Sequence, residues 1–451
     1  MRKSSLLALL LAAATPVAAE DLVQVFRDAQ RYDATFAAAR NNLAAGRERL
    51  PQGRALLLPT LNLSANATNS RIDVDSKDTT VSPSFLRVPN SSGYTLTLTQ
   101  PIFRVQNYLQ YQQSEFQVRQ AEATFGQASQ DLIVRVSQAY FDVLGQYDTL
   151  VLVRAQKAAT SEQLAQAKRN FEVGTATITD THEAQARYDL IAAQEIAALN
   201  DLQARRRQLQ LITGKEYTEL KQLRGDIRLS PPNPENPDTW ADLAEKQSYP
   251  VLINEAAAEV AALEAKRASA GHLPTLDFVA QYGQTSETAS ITSSVGRDTT
   301  NSSVGVQLAL PLFQGGSVSS REREAAALYL RSKDDLDNAR RTSVLTTRQL
   351  YLSTLNGISQ VAALEQARVS SQSALDSNKL GYEVGIRINI DVLNAQQQLY
   401  STERDLALAR YNTILNNLRL KAAAGTLREE DLEEVNRALS VTVGRPPDGV
   451  R

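Results

Sequence analysis

The feature that most constrains this chain is an internal duplication. LPTLNLSAN, from Leu58 to Asn66, recurs as LPTLDFVAQ, from Leu273 to Gln281. LTQPIF (Leu98 to Phe103) recurs as LALPLF (Leu308 to Phe313), and FEVG (Phe171 to Gly174) as YEVG (Tyr382 to Gly385). The offsets are 215, 210 and 211 residues, nearly constant across three motifs. Such self-similarity means one supersecondary plan used twice. Between the copies lies PPNPENP, Pro231 to Pro237, which no helix or strand is expected to traverse. The sequence thus divides into a first repeat over 20–230, a proline-rich linker over 231–237, a second repeat over 238–439 and a short tail over 440–451.

Each copy reads as helix, strand, polar loop, strand and two long helices. Asp21–Leu57 and Thr239–His272 are helix-like. Leu61, Leu63, Ala65 and Ala67 alternate with Asn and Ser, and Tyr94, Leu96 and Leu98 with Thr95, Thr97 and Thr99. In the second copy Leu276, Phe278, Ala280 and Tyr282 lie on one face, and Val304, Val306, Leu308 and Leu310 on another. A period of two is the strand signal. The loops between, Asn69–Ser92 and Thr285–Ser302, are rich in Ser, Thr and Asp. From Val105 to about Phe171 there is no proline, and a continuous helix of that length would reach roughly 100 Å. Its partner is expected over about Thr181–Thr213. Leu132, Val136, Ala139, Val143, Tyr147 and Leu150 form a heptad-like seam, as do Leu408, Tyr411, Leu415 and Leu418.

The first residues read as a secretory signal. Arg2 and Lys3 are its basic part, Leu6–Ala14 its apolar part, and Val17-Ala18-Ala19 its cleavage site, so Glu20 is the expected mature start. The apolar run is too short to span a bilayer. Cleavage takes Lys plus Arg from 48 to 46 against 50 acidic residues, so the formal charge moves from −2 to −4. That mild acidity argues against nucleic acid as a partner. There is no cysteine, which excludes disulfides, thiolate metal sites, thiol catalysis and a lipid-modified N-terminal cysteine. The histidines, His182 and His272, leave little for a metal site, and no cofactor is implied. HEAQA at His182 lacks the second histidine of a zinc-protease helix, and Gly315-Gly316 lacks the lysine of a phosphate loop, so an enzyme is not expected.

Strands of about ten residues alternating apolar and polar, with long loops, match a transmembrane barrel; a soluble sheet is the alternative on pattern alone. Four strands cannot close a barrel, since about eight are the usual minimum. An open edge in lipid leaves backbone groups unsatisfied. Either the sheet is soluble or several chains share one barrel, and three chains would give about 12 strands.

GHLPTLDF (Gly271 to Phe278), LPLFQGG (Leu310 to Gly316), GYEVGIRINIDVLNAQ (Gly381 to Gln396) and ARYNTILNNLRLKAAAGTL (Ala409 to Leu427) are long and ordered. Through them the chain resembles the TolC family of outer-membrane channel-tunnel proteins over essentially its whole mature length. The resemblance implies an α+β membrane protein of the Gram-negative outer membrane, a homotrimer. Its three chains would share a 12-stranded β-barrel, in contact with outer-membrane lipid and continuous with a long periplasmic α-helical barrel. It implies an exit duct of a tripartite export machine for secreted proteins (type I secretion) or small molecules such as drugs. The partners would be a periplasmic adaptor (membrane fusion) protein and an inner-membrane ABC, RND or MFS-type pump. The competing reading is a non-conducting structural or adhesive periplasmic coiled coil.

The resemblance also implies roles for the two FEVG-type turns. In the family the periplasmic tip is closed by ties near its mouth. The matching positions are Thr179, Asp180, Tyr382 and Arg387, with ties running from Tyr382 and Arg387 to the Thr179/Asp180 corner, some across subunits. Asp391 matches a position that lines the narrowest point. Asn394 stands where the family's best-known member carries a second aspartate, a departure from a double acidic ring. Local capping is the other role open to these residues. Asp180 heads D-T-H-E with Glu183 three residues on, and Asp391 or Asn389 can cap the second helix. Arg387 has no counterpart in the first copy, where Ala176 stands, and Phe171 stands opposite Tyr382.

Overall fold

The structure, a computed structural model, describes residues 20–77, 80, 84–217, 219–224, 227, 229–289, 293 and 295–442. The expected signal peptide, parts of both polar loops and most of the tail lie outside the described residues. In chain order the elements are α1 (Leu22–Tyr32), α2 (Ala34–Arg47), α3 (Arg49–Ala55), β1 (Thr60–Asn69), β2 (Ile72–Val74), β3 (Phe85–Arg87), β4 (Asn90–Phe103), α4 (Val105–Glu172) and α5 (Ile178–Thr213). They continue as β5 (Lys221–Leu223), α6 (Pro237–Gln247), α7 (Tyr249–Ser269), β6 (Thr275–Glu287), β7 (Arg297–Ala309), α8 (Ser317–Glu383), α9 (Asn389–Ala423), α10 (Glu429–Arg437) and β8 (Leu439–Thr442). The long helices come in matched pairs: α4 and α8 have 68 and 67 residues, α5 and α9 have 36 and 35.

The chain forms two compact units, and each draws on both sequence repeats. One takes the chain up to Arg40, Gly126–Ser248 and Arg341 onward; the other takes Asn41–Phe125 and Tyr249–Arg340. The second unit carries a four-stranded antiparallel sheet in the order β1-β4-β6-β7. Its register explains the alternation in the sequence. Leu61, Leu98, Ala280 and Val304 stand in one cross-strand row, and Leu63, Leu96 and Tyr282 in the next. One residue along, Asn62, Thr97, Gln281 and Ser303 form a row on the opposite face. The sheet is therefore apolar on one face and polar on the other. Leu276, Phe278 and Ala280 pair with Leu308, Val306 and Val304, so these two sets share one face rather than lying on different ones. Every residue of the edge strands β1 and β7 is exposed. After β7 the chain turns at Gly315 and Gly316, both at positive φ (59° and 80°), a conformation that glycine adopts without steric cost.

The first unit is built on helix packing. Leu22, Val25, Phe26 and Ala29 bury one face of α1, which Asp21 caps by accepting from the Gln24 N–H at 2.9 Å. Of the expected seam on α4, Leu132, Val136, Ala139, Val143 and Leu150 are buried and Tyr147 half-buried. Tyr411, Leu415 and Leu418 of α9 are buried as well, whereas Leu408 is exposed. The proline-rich linker stops short of its expected end. Asn236 caps α6 and Pro237 is the first helical residue, where its missing N–H would be unpaired anyway. No helix among the described residues is long and apolar enough to cross a membrane.

Midway along the long helices sits a buried polar knot. Asp148 on α4 accepts from the Tyr411 hydroxyl of α9 at 2.7 Å and from Gln222 Nε2 of β5 at 2.9 Å. Phe141 stacks on Tyr411, with ring centroids 5.4 Å apart, and Tyr140 donates to the Lys221 carbonyl at 2.7 Å. Burial pushes the Asp148 carboxyl up to about 6, although the Tyr411 hydroxyl opposes the shift. Burial likewise raises the Tyr411 phenol, which therefore stays a donor.

Candidate functional site

The two turns flagged by the duplication share one backbone scheme. Gly174 and Gly385 both sit at positive φ, 79° and 77°, and let the chain leave its long helix. In the first turn the Asn170 carbonyl accepts from the N–H groups of Thr175 and Ala176; in the second the Gly381 carbonyl accepts from Ile386 and Arg387. The side chains then diverge. Thr177 is the N-cap of α5 and accepts from the Asp180 N–H at 3.2 Å. Asp180 Oδ2 accepts from the Thr177 N–H at 2.9 Å and from its hydroxyl at 2.8 Å, closing a capping box. The box thus begins one turn earlier than D-T-H-E implied. Thr177 holds the extended φ/ψ of a cap, which places Asp180 at the third helical position.

At the equivalent place in the second turn stands Ile388, the N-cap of α9, which has no side-chain oxygen to offer. Neither Asn389 nor Asp391 caps the helix. Asp391, at the third position like Asp180, pairs with Arg387 Nη1 at 3.7 Å instead. Asn389 is buried, and its Oδ1 accepts from Gln163 Nε2 of α4 at 2.5 Å. Its Nδ2 donates to the Asp180 carbonyl at 3.4 Å.

The structure places the six candidate residues as follows. Thr179 is exposed and Asp180 half-buried in the first turn of α5. Tyr382 is half-buried, and its hydroxyl accepts from Asn170 Nδ2 at 3.1 Å. Among the described residues, the side chains of Tyr382 and Arg387 thus meet Asn170 and Asp391, and neither is bonded to Thr179 or Asp180. Asn394 Oδ1 accepts from Arg187 Nη2 of α5 at 3.1 Å, and Gln397 Oε1 from Nη1 of the same arginine at 2.5 Å. Sequence reasoning did not single out Asn170, Gln163, Arg187 and Gln397. One signal was available for Asn389: at the 211-residue offset the first copy carries Ile178, so a polar group replaces an apolar one. The turns also expose Val173, Ile178, Val384, Ile386 and Ile388.

A two-faced antiparallel sheet with exposed edge strands, in a chain whose other half is matched long helices, defines a class: the outer-membrane export channels. The chain belongs to the outer membrane efflux protein family, whose model matches residues 25–215 and 242–426, one stretch in each copy. Outer membrane protein TolC of Vibrio cholerae is 34% identical over 426 residues, spanning 94% of this chain and 94% of that protein. Alkaline protease secretion protein AprF of Pseudomonas aeruginosa is 34% identical over 407 residues, spanning 89% and 84% respectively. Among solved structures, the outer membrane protein VceC of Vibrio cholerae superposes with a TM-score of 0.76 at 18% identity, covering 90% of this chain and 96% of that one. That likeness bears on the fold alone. The protein resides in the outer membrane and extends into the periplasm.

Proposed function

We propose that three copies of this chain form the exit duct of a tripartite export machine, gated at the turns between the long helices. The observation that carries this reading is the sheet. Its four strands are apolar on one face, polar on the other, and end in exposed edges at β1 and β7. A sheet with open edges cannot sit in lipid, and four strands are too few to close. Three sheets joined edge to edge give about 12 strands, with the apolar face toward lipid and the polar face toward the lumen. The matched helices of the two duplicated repeats, 20–230 and 238–439, then line a periplasmic conduit.

At the tip, Tyr382 and Arg387 latch the duct shut against the Thr179/Asp180 corner of a neighbouring subunit, while Asp391 and Asn394 face the constriction. Exposed ion pairs contribute only about 0–1 kcal/mol each, so such ties hold a closed state and still yield to a docking partner. The exposed Val173, Ile178, Val384, Ile386 and Ile388 offer a periplasmic adaptor an apolar surface. An inner-membrane ABC, RND or MFS-type pump loads the duct. The names of AprF and of a second relative, proteases secretion protein PrtF of Dickeya chrysanthemi, favour secreted protein among the cargoes.

Purified protein in mild detergent is expected to run as a trimer and to conduct weakly in planar bilayers. Arg387→Ser combined with Tyr382→Phe raises that conductance. A trimer that never conducts, with or without these changes, removes the duct reading in favour of a non-conducting coiled coil. A conducting trimer that the double change leaves unaltered removes only the latch.

A further inference from the structure

We infer that Arg104 sets the charge preference of the duct by masking Asp277, so that the polar wall of the sheet turns no net charge toward its cargo; this rests on the duct reading above. The charged residues of the four strands are Asp277, Glu287, Arg297 and Asp298. Asp298, opposite Ser286, shares a face with Phe278 and Ala280, and the other three belong to the polar face. Glu287 and Arg297 stand directly opposite each other at the loop end, so their charges offset within one row. Between the two ends the polar face is uncharged, with rows such as Asn62, Thr97, Gln281 and Ser303. Asp277 has no opposite charge in its own row, where its neighbours are Pro101 and Gln307. Its partner comes from beyond the end of a strand.

Arg104 stands between β4 and α4, and its carbonyl accepts from the N–H groups of Asn107 and Tyr108. Its side chain reaches across to β6. Nε donates to Asp277 Oδ1 at 2.8 Å and Nη2 to Oδ2 at 2.5 Å. Both carboxylate oxygens are thereby covered in the forked geometry that suits a guanidinium. The Asp277 side chain is left 10% exposed and that of Arg104 40%. Removing one partner of so covered a pair leaves the other charge uncompensated. The duplication supports reading the pair as a unit of charge. At the 215-residue offset the counterpart of Asp277 is Asn62, and at the 210-residue offset the counterpart of Arg104 is Gln314. The acid and the base are present together in one set of positions and both replaced by amides in the other, so the wall stays neutral either way. Arg104 is thus the residue on which the neutrality of the helix end of the wall depends.

The test is the potassium-to-chloride permeability ratio, read from the reversal potential of the purified full chain in planar bilayers under a KCl gradient. It is measured both in the wild-type background and with Arg387→Ser and Tyr382→Phe present, so that the tip contributes least. Arg104→Gln uncovers one carboxylate in each chain and should raise the ratio roughly 2–5-fold at about 0.1 M salt. The rise should shrink at about 1 M, where the screening length falls from ~10 Å to ~3 Å. Asp277→Asn uncovers the guanidinium instead and should lower the ratio by a similar factor. Arg104→Gln combined with Asp277→Asn, the amides of the other copy, should return the ratio to that of the wild type. A pair with a structural role alone would lower the melting temperature of the single variants and leave the ratio where it was. If Arg104→Gln does not fold, Asp277→Asn and the double variant carry the test, since the unpaired guanidinium is already partly in solvent. The inference is overturned if the single variants conduct with the wild-type ratio, or if both shift it in the same direction. If the wild type and every variant fail to conduct, the duct reading fails and the masking role with it.

Discussion

The waist and the tip of the same helices are held by different means. At the waist, α4 and α9 meet through Phe141 stacked on Tyr411, with Asp148 buried beneath the phenol. Leu132, Tyr140, Phe141, Leu144, Leu150 and Leu415 are almost wholly excluded from solvent there. At the tip, α4 and α9 meet through one buried amide pair beside a small apolar cluster, Leu164 and Ala167 with Leu393 and Ile390, and the turns beyond expose apolar side chains. Burial of large apolar groups supplies most of the free energy of packing, whereas single hydrogen bonds contribute about 1 kcal/mol net. The waist thus buries larger apolar groups than the tip, which leaves the tip the less strongly held end of these helices.

The largest test of this contrast is Phe141→Ala. Truncating a buried aromatic ring costs about 3–5 kcal/mol. Thermal unfolding of the variant should show a large drop, and conductance should not rise before the protein unfolds. A Phe141→Ala protein that conducts more than the wild type while remaining folded would mean that the proposed gating involves the waist.

The next test is pH. The Asp148 carboxyl titrates near 6 in the fold, above the ordinary 3.8, because burial penalises its charge. The folded state therefore binds the proton more tightly than the unfolded chain. Its contribution to stability is fully present below about pH 4, is lost as pH rises through 6, and is flat above pH 7. A displacement of that size corresponds to on the order of 2–3 kcal/mol. Asp33 and Glu195, held below the carboxylate norm by Arg135 and by Lys157 with Arg154, act in the opposite direction. The measurement is accordingly the difference between wild type and Asp148→Asn in denaturant melts at pH 4 and pH 7.5. The wild type should gain relative to the variant on acidification. A pH-independent difference would place Asp148 in contact with water.

The waist was more legible in the sequence than the tip, for a physical reason. Core seams and strands repeat at 3.5 and 2 residues, so Leu132, Val136, Val143 and Leu150, or Leu61, Leu63 and Ala65, announce their face locally. The sheet's apolar face could be read this way, though its edges could not be joined without a second copy. Tip ties carry no period. Tyr382 meets Asn170 across 212 residues, and no local pattern marks either as the other's partner. The cap of α5 was misplaced by one turn because Thr177, Asp180 and Glu183 are spaced by three, so both Thr177–Asp180 and Asp180–Glu183 satisfy a capping box on spacing. The backbone at Thr177 selects between them. The resemblance sends Arg387 to the Thr179/Asp180 corner and Asp391 to the lumen; with Ile388 in place of a hydroxyl residue, Asp391 pairs with Arg387 inside the same turn.

That last difference gives the smallest and most pointed test. The two turns differ at one cap: Thr177 answers Asp180, whereas Ile388 cannot answer Asp391. Thr177→Ala should cost about 1 kcal/mol by stranding the first N–H groups of α5. Ile388→Thr should do the reverse in the second turn, adding a few tenths to about 1 kcal/mol as Asp391 closes a box on the new hydroxyl. The exposed Arg387–Asp391 pair, worth about 0–1 kcal/mol, is given up in the exchange, so the net gain is small. The informative readout is therefore salt rather than stability alone. In the wild type the pair weakens on screening, so the stability difference between Ile388→Thr and wild type should widen as ionic strength rises. A difference that is constant with salt would mean that Asp391 is not held by Arg387 in solution.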